Sequence, residues 1–114
     1  MRKGDTNDNL NRIDFAKGNG LIPAIIQDYY SNKVLMLGYM NKKSLSLTIK
    51  TKLVHFWSRS RNKIWLKGEE SGNKIIVKNI KLDCDMDTIL ILGELTGSSA
   101  CHTGNESCFF KKII

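Results

Sequence analysis

The chain has 114 residues, 41% hydrophobic and 25% charged, which is the composition of one globular domain over residues 1–114 and too little chain for two. No apolar stretch approaches the ~20 residues of a membrane span, and the start MRKGDTNDNLNRID has no hydrophobic segment behind its basic residues, so a secretory signal is excluded and the cytoplasm is the expected address. The net charge of +7 suits an anionic partner, yet the lysines are scattered (Lys33, Lys42, Lys43, Lys50, Lys52, Lys74, Lys78, Lys81), and a lysine-rich solvated surface explains them equally well.

In chain order, LIPAIIQDYY and SNKVLMLGYM read as two strands joined around Ser31-Asn32. Asn41 is placed to cap a helix through KKSLSLTIKT, with Leu45, Thr48 and Ile49 on one face. VHFWS reads as a strand, RSRN as a turn, KIWLKG as the returning strand and EESGN as a further turn. KIIVKNIKLDCD and DTILILGEL are β-rich, and FFKKII is expected to close the sheet. The fold class expected is α+β, a mainly antiparallel β-sheet with one principal helix.

The stretch LDCDMDTIL concentrates charge at the edge of an apolar run. On a strand, Asp83, Asp85 and Asp87 share one face, with Cys84 and Met86 on the other. Neighbours on that face lie roughly 6.6 Å apart, so the outer pair, at about 13 Å, needs a bend or a bridging water to share an ion. Like charges on one face disfavour a strand, and carboxylate oxygens suit a hard cation such as magnesium. The same aspartates with Glu94 match acidic positions of a calcium-binding EF-hand loop, but Thr88 stands where that loop requires glycine and the flanks lack helical periodicity.

Cys84, Cys101 and Cys108 cannot all pair within one chain, and a cytosolic protein keeps them reduced. Soft thiolates select zinc, so the alternation at Cys84 suggests two different metals on opposite faces of one strand. Three thiolates leave zinc one open position, where a bound water has its pKa lowered toward about 7. His102 beside Cys101 reads as a fourth ligand, a proton shuttle or an ordinary buried histidine, and His55 reads as structural. In FWSRSR, Arg59 and Arg61 are spaced to face one side of an extended segment, as phosphate binding needs. Trp57 reads as core or as a cover for an aromatic base. KGEESGN offers Lys67, Glu69 and Ser71 to a rim.

Taken together, FWSRSR, IWLKGEESGN, DCDMDT and ACHTGNESCF, with LIPAIIQD and VLMLGYMN before them, strongly resemble the phosphoribosyl-AMP cyclohydrolase family of histidine biosynthesis, over roughly residues 13–110. The resemblance implies hydrolytic opening of the adenine ring of phosphoribosyl-AMP between nitrogen 1 and carbon 6, by zinc-activated water. It implies an intertwined homodimer with zinc and magnesium. Cys84 from one subunit and Cys101 and Cys108 from the other would bind zinc, Asp83, Asp85 and Asp87 would bind magnesium, and His102 would be catalytic. A substrate with two phosphates suits Arg59, Arg61 and the positive charge, with Trp57, Lys67 and Glu69 as further substrate contacts. Neither nucleic acid nor membrane is then a partner.

Two departures stand out. Ser98 and Ser99 occupy places where the family commonly has a glycine-proline pair, so the loop carrying Cys101 is expected to be more flexible. The chain ends soon after Cys108, so the pyrophosphohydrolase domain sometimes fused to this enzyme is not expected. The competing readings are a zinc hydrolase acting on another nucleotide and a basic nucleic-acid-binding domain with structural zinc. The aspartate cluster and the 8% aromatic content speak against the latter.

Overall fold

The computed structural model describes residues 9–114, so most of the basic start discussed above, residues 1–8, lies outside it. The expected first hairpin forms from β1 (Ile22–Asp28) and β2 (Val34–Met40), paired antiparallel. Its turn is held by the Asp28 carboxylate, which accepts the N–H groups of Tyr30 (3.1 Å) and Ser31 (2.8 Å), and by Asn32 in the left-handed region at φ 64°. These backbone bonds hold the Asp28 carboxyl below its ordinary pKa.

Helix α1 (Lys42–Thr51) starts at Asn41, as the sequence predicts. The Asn41 side chain accepts the Ser44 N–H at 2.8 Å, and the Ser44 hydroxyl accepts the Asn41 N–H at 2.9 Å, a reciprocal capping box. Leu45 and Thr48 are buried, and Ile49 packs partly buried against the core. The Thr48 hydroxyl donates to the Ser44 carbonyl (2.8 Å) and accepts the His55 N–H (2.9 Å), which ties the helix to the next strand. That strand, β3 (His55–Ser58), forms a separate two-stranded antiparallel sheet with β4 (Lys63–Leu66). Phe56 is its buried anchor, with its ring centroid 5.2 Å from that of Trp65. A Cβ on Gly38 of β2 would stand 2.5 Å from the Phe56 ring, so glycine is what lets β2 and β3 approach.

The main sheet has the order β2-β1-β6-β5, with β5 (Ile75–Leu82) and β6 (Ile89–Leu95) antiparallel. At its centre β1 and β6 run parallel, Ala24 opposite Ile89 through Asp28 opposite Gly93. The sheet is therefore mixed, although the remaining strand pairs are antiparallel as expected. Ile22, Ala24 and Ile26 of β1 meet Ile89 and Ile91 of β6 in the core. The alternate residues are also apolar: Leu37, Ile25 and Leu90 lie opposite one another across three strands on the other face. Strands apolar on both faces belong in the middle of a sheet.

Two expectations fail. FFKKII forms no strand: after the Cys108 N–H donates to the Leu35 carbonyl (2.7 Å), the chain makes no ladder with the β2 edge, and Phe109 and Phe110 are exposed. The aspartates do not stand on a strand either. Residues 83–88 form the turn between β5 and β6, with Met86 at φ 64°, so the strand alternation that set Cys84 opposite them does not apply. Among the described residues no helix is long and apolar enough to cross a membrane.

Replacing Asn41 with alanine removes the side-chain acceptor of the Ser44 N–H, one of the two bonds of the capping box. The expected loss is about 1 kcal/mol, read as a lower urea midpoint at unchanged slope. An unchanged midpoint would show that the cap contributes no stability.

Candidate functional site

A cleft of about 640 Å³ opens between the β3–β4 hairpin, the loop after β4 and the chain beyond β6. Its lining gathers Arg61, Lys67, Glu69, Cys101, His102 and Cys108 from segments far apart in sequence. Each arrives for a local reason. Lys67 and Glu69 lie on a loop that turns back at Gly68 (φ +86°), where a Cβ would run into the Asn73 backbone. The Glu69 carboxylate accepts the Leu66 N–H at 2.9 Å and fixes the start of that loop. Cys101 and His102 ride a tight turn closed by Ala100 N–H to Glu106 carbonyl (3.0 Å) and Cys101 N–H to Asn105 carbonyl (3.2 Å). Cys108 is held by its bond to β2 and by the Ser107 hydroxyl, which donates to the Val34 carbonyl at 2.7 Å.

The two thiols differ. The Thr103 hydroxyl donates to Cys101 Sγ at 3.0 Å, and this bond above all pulls the Cys101 pKa below the ordinary thiol value. Burial pushes Cys108 the other way, reinforced by its hydrogen bond to Cys101, so Cys101 ionises first and Cys108 keeps its proton longer. Lys67 is only 7% exposed, and its ammonium makes a long contact, 3.4 Å, with the Asn73 carbonyl. Burial lowers the Lys67 pKa, and the charges of Cys108 and Cys101 oppose that shift. His102 is exposed at the cleft, not a buried core histidine. His55 is instead bonded through Nδ1 to the Leu53 carbonyl at 2.8 Å.

Asp83, Asp85 and Asp87 lie elsewhere. The turn after β5 supplies the bend that a flat strand lacks, and one carboxylate oxygen from each lies within 4.8 Å of the others. Asp83 accepts the N–H groups of Asp87 and Thr88, both at 3.1 Å. Lys17 reaches Asp87 at 3.1 Å and holds its pKa down. Cys84 sits exposed on the same turn. This turn precedes β6 whereas Cys101 and Cys108 follow it, so the strand's seven residues, about 20 Å of chain, separate them. One chain does not bring its three thiols together.

The phosphoribosyl-AMP cyclohydrolase family model matches residues 36–110, which contain every cleft residue named above and the aspartate turn. A curated phosphoribosyl-AMP cyclohydrolase of Clostridium botulinum (strain 657 / Type Ba4) is 59% identical over 105 residues, 92% of this chain and 94% of that protein. Its counterpart from Solibacter usitatus (strain Ellin6076) is 52% identical over 101 residues, 89% of this chain and 80% of that protein. The chain belongs to the phosphoribosyl-AMP cyclohydrolase family.

Within this cyclohydrolase-family fold, some residues singled out from the sequence stand apart from the cleft. Arg59 and Arg61 occupy a turn, not an extended segment, and they diverge: Arg61 lines the cleft, while the Arg59 guanidinium lies 4.0 Å above the Tyr39 ring. Trp57 is half-buried and is absent from the cleft lining, because Phe56 takes the core position and strand alternation turns Trp57 the other way. The tryptophan in the lining is Trp65, which sequence reasoning missed; its pairing opposite Phe56 is the signal that could have found it. Of the two residues that depart from the family pattern, Ser98 is exposed and Ser99 is buried.

Alkylation of the metal-free protein, mapped by mass spectrometry across pH, should give Cys101 a lower midpoint than Cys108. Equal midpoints would remove the effect assigned to Thr103.

Proposed function

We propose that this chain opens the adenine ring of 1-(5-phosphoribosyl)-AMP with water at the bond between nitrogen 1 and carbon 6, giving the phosphoribosyl-formimino aminoimidazole carboxamide ribotide. The observation that carries the reading is the convergence of Cys101, Cys108, His102, Lys67 and Arg61 on one cleft. Its volume is in the range of pockets that enclose small-molecule ligands. Ribosylation of nitrogen 1 removes the neutral aromatic form of the ring and leaves carbon 6 electrophilic. Arg61 and Lys67 bring positive charge for the phosphates, and Trp65 offers a flat apolar wall. His102, exposed on its turn, is placed to pass a proton to nitrogen 1 as the bond breaks.

The donor sets fit the metals implied by the resemblance. Neighbouring thiols, one with a lowered pKa, suit zinc, and a trio of carboxylates within 4.8 Å suits magnesium. Zinc held there supplies a Lewis acid that makes water nucleophilic near neutral pH. The length of β6 supports a shared site: a second copy, with its aspartate turn against the cleft, delivers Cys84 of the partner subunit and the magnesium carboxylates in one contact. The apolar outer row Leu37, Ile25 and Leu90, with Leu37 42% exposed, gives such a homodimer a surface to bury.

Purified protein should open phosphoribosyl-AMP, lose turnover on chelation and regain it with zinc and magnesium together. No turnover in a folded, zinc-loaded dimer would sink the proposal. Cys84→Ala and Cys101→Ala should each be inactive as homodimers. Mixed and allowed to exchange subunits, they should recover about a quarter of wild-type turnover, since half the dimers then carry one intact site. No recovery despite demonstrated exchange would refute a site shared between subunits.

A further inference from the structure

The turn that presents Cys101 and His102 has an internal tie. Ser99 is only 6% exposed, and its hydroxyl lies 2.6 Å from the Cys101 carbonyl and 2.9 Å from the Asn105 carbonyl. These two carbonyls stand at the two ends of the turn. Each also accepts a backbone N–H: Cys101 takes Gly104 at 3.0 Å, and Asn105 takes Cys101 at 3.2 Å. The single hydroxyl proton is shared between both ends from the inside, where water does not compete. On the outer side the same turn is tied through side chains alone, Asn105 Nδ2 donating to the Thr103 hydroxyl (2.9 Å) and Thr103 to Cys101 Sγ.

We infer that Ser99 is a positioning residue, whose hydroxyl holds the Cys101–Asn105 turn closed so that Cys101 and His102 meet the cleft in a fixed orientation before any metal or substrate binds. The turn's own backbone bonds reach out to exposed residues at Gly104 and Asn105, whereas the buried Ser99 hydroxyl joins both ends at once. What the turn is positioned for rests on the cyclohydrolase reading, but whether Ser99 closes it does not.

The test uses the full chain with Ser99→Ala, which removes the hydroxyl and little volume, and Ser99→Thr, which keeps it. Amide hydrogen exchange is followed by NMR without metal. In Ser99→Ala, the Ala100, Cys101 and Gly104 amides should exchange at least ~10-fold faster while the Ile26 and Ile91 amides keep wild-type protection, and Ser99→Thr should restore the turn. Zinc affinity by chelator competition should fall on the order of tenfold in Ser99→Ala and recover in Ser99→Thr. Unchanged turn exchange would overturn the inference. Acceleration shared equally by Ile26 and Ile91 would make Ser99 a stability residue and overturn it too, as would failure of threonine to rescue. A wild-type protein that binds no zinc and opens no substrate would overturn the cyclohydrolase reading, leaving the exchange comparison to decide Ser99.

Discussion

The parallel register of β1 and β6 is the constraint on which the rest depends. It fixes β6 as a straight central strand, with the aspartate turn leading into Ile89 and the cysteine turn leaving after Leu95. Groups attached to opposite ends of a strand in the middle of a sheet cannot fold toward each other without breaking ladder bonds on both sides. The carboxylates with Cys84, and the thiols of Cys101 and Cys108, are therefore held apart within one chain. Any chemistry that needs both sets needs a second chain.

The cleft at the end of β6 is electrostatically unusual for so small a fold. A buried ammonium normally has a carboxylate partner; Lys67 faces thiols and a carbonyl instead. Burial lowers the pKa of Lys67 while the charges of Cys108 and Cys101 oppose it, and that of Cys101 is lowered chiefly by the Thr103 hydroxyl and least by Lys67, so each group's state depends in part on the other. A thiolate or a bound anion compensates the ammonium. Glu69 and Asn73 line the cleft and also shape the loop that borders it. Glu69 anchors the loop at Leu66, and the Asn73 backbone closes it against Gly68.

Much of this was legible from the residues. The hairpin around Ser31-Asn32, the Asn41 cap and the turns at RSRN and EESGN are local, written in spacing and in residues that tolerate tight backbone. The motifs DCDMDT and ACHTGNESCF likewise announced carboxylates and thiols before any coordinates. The strand reading of the aspartates missed their turn because alternation presumes that a strand continues, whereas repulsion among like charges is itself a reason for it to turn. The exposed tail FFKKII looked like a strand because β-propensity says nothing about whether a free edge is within reach.

By itself, the sequence determined the order and type of most of the elements, the chemistry of the donor groups and the family, because each is encoded in neighbouring residues. Only the tertiary structure decided that β1 lies parallel to β6, that Trp65 rather than Trp57 lines the cleft and that Arg59 turns to Tyr39 while Arg61 does not. It also decided that Ser99 points inward. The physical reason is shared: these outcomes depend on which faces and loops pack together in three dimensions, across more than sixty residues of chain for β1 against β6, and no local periodicity records that choice.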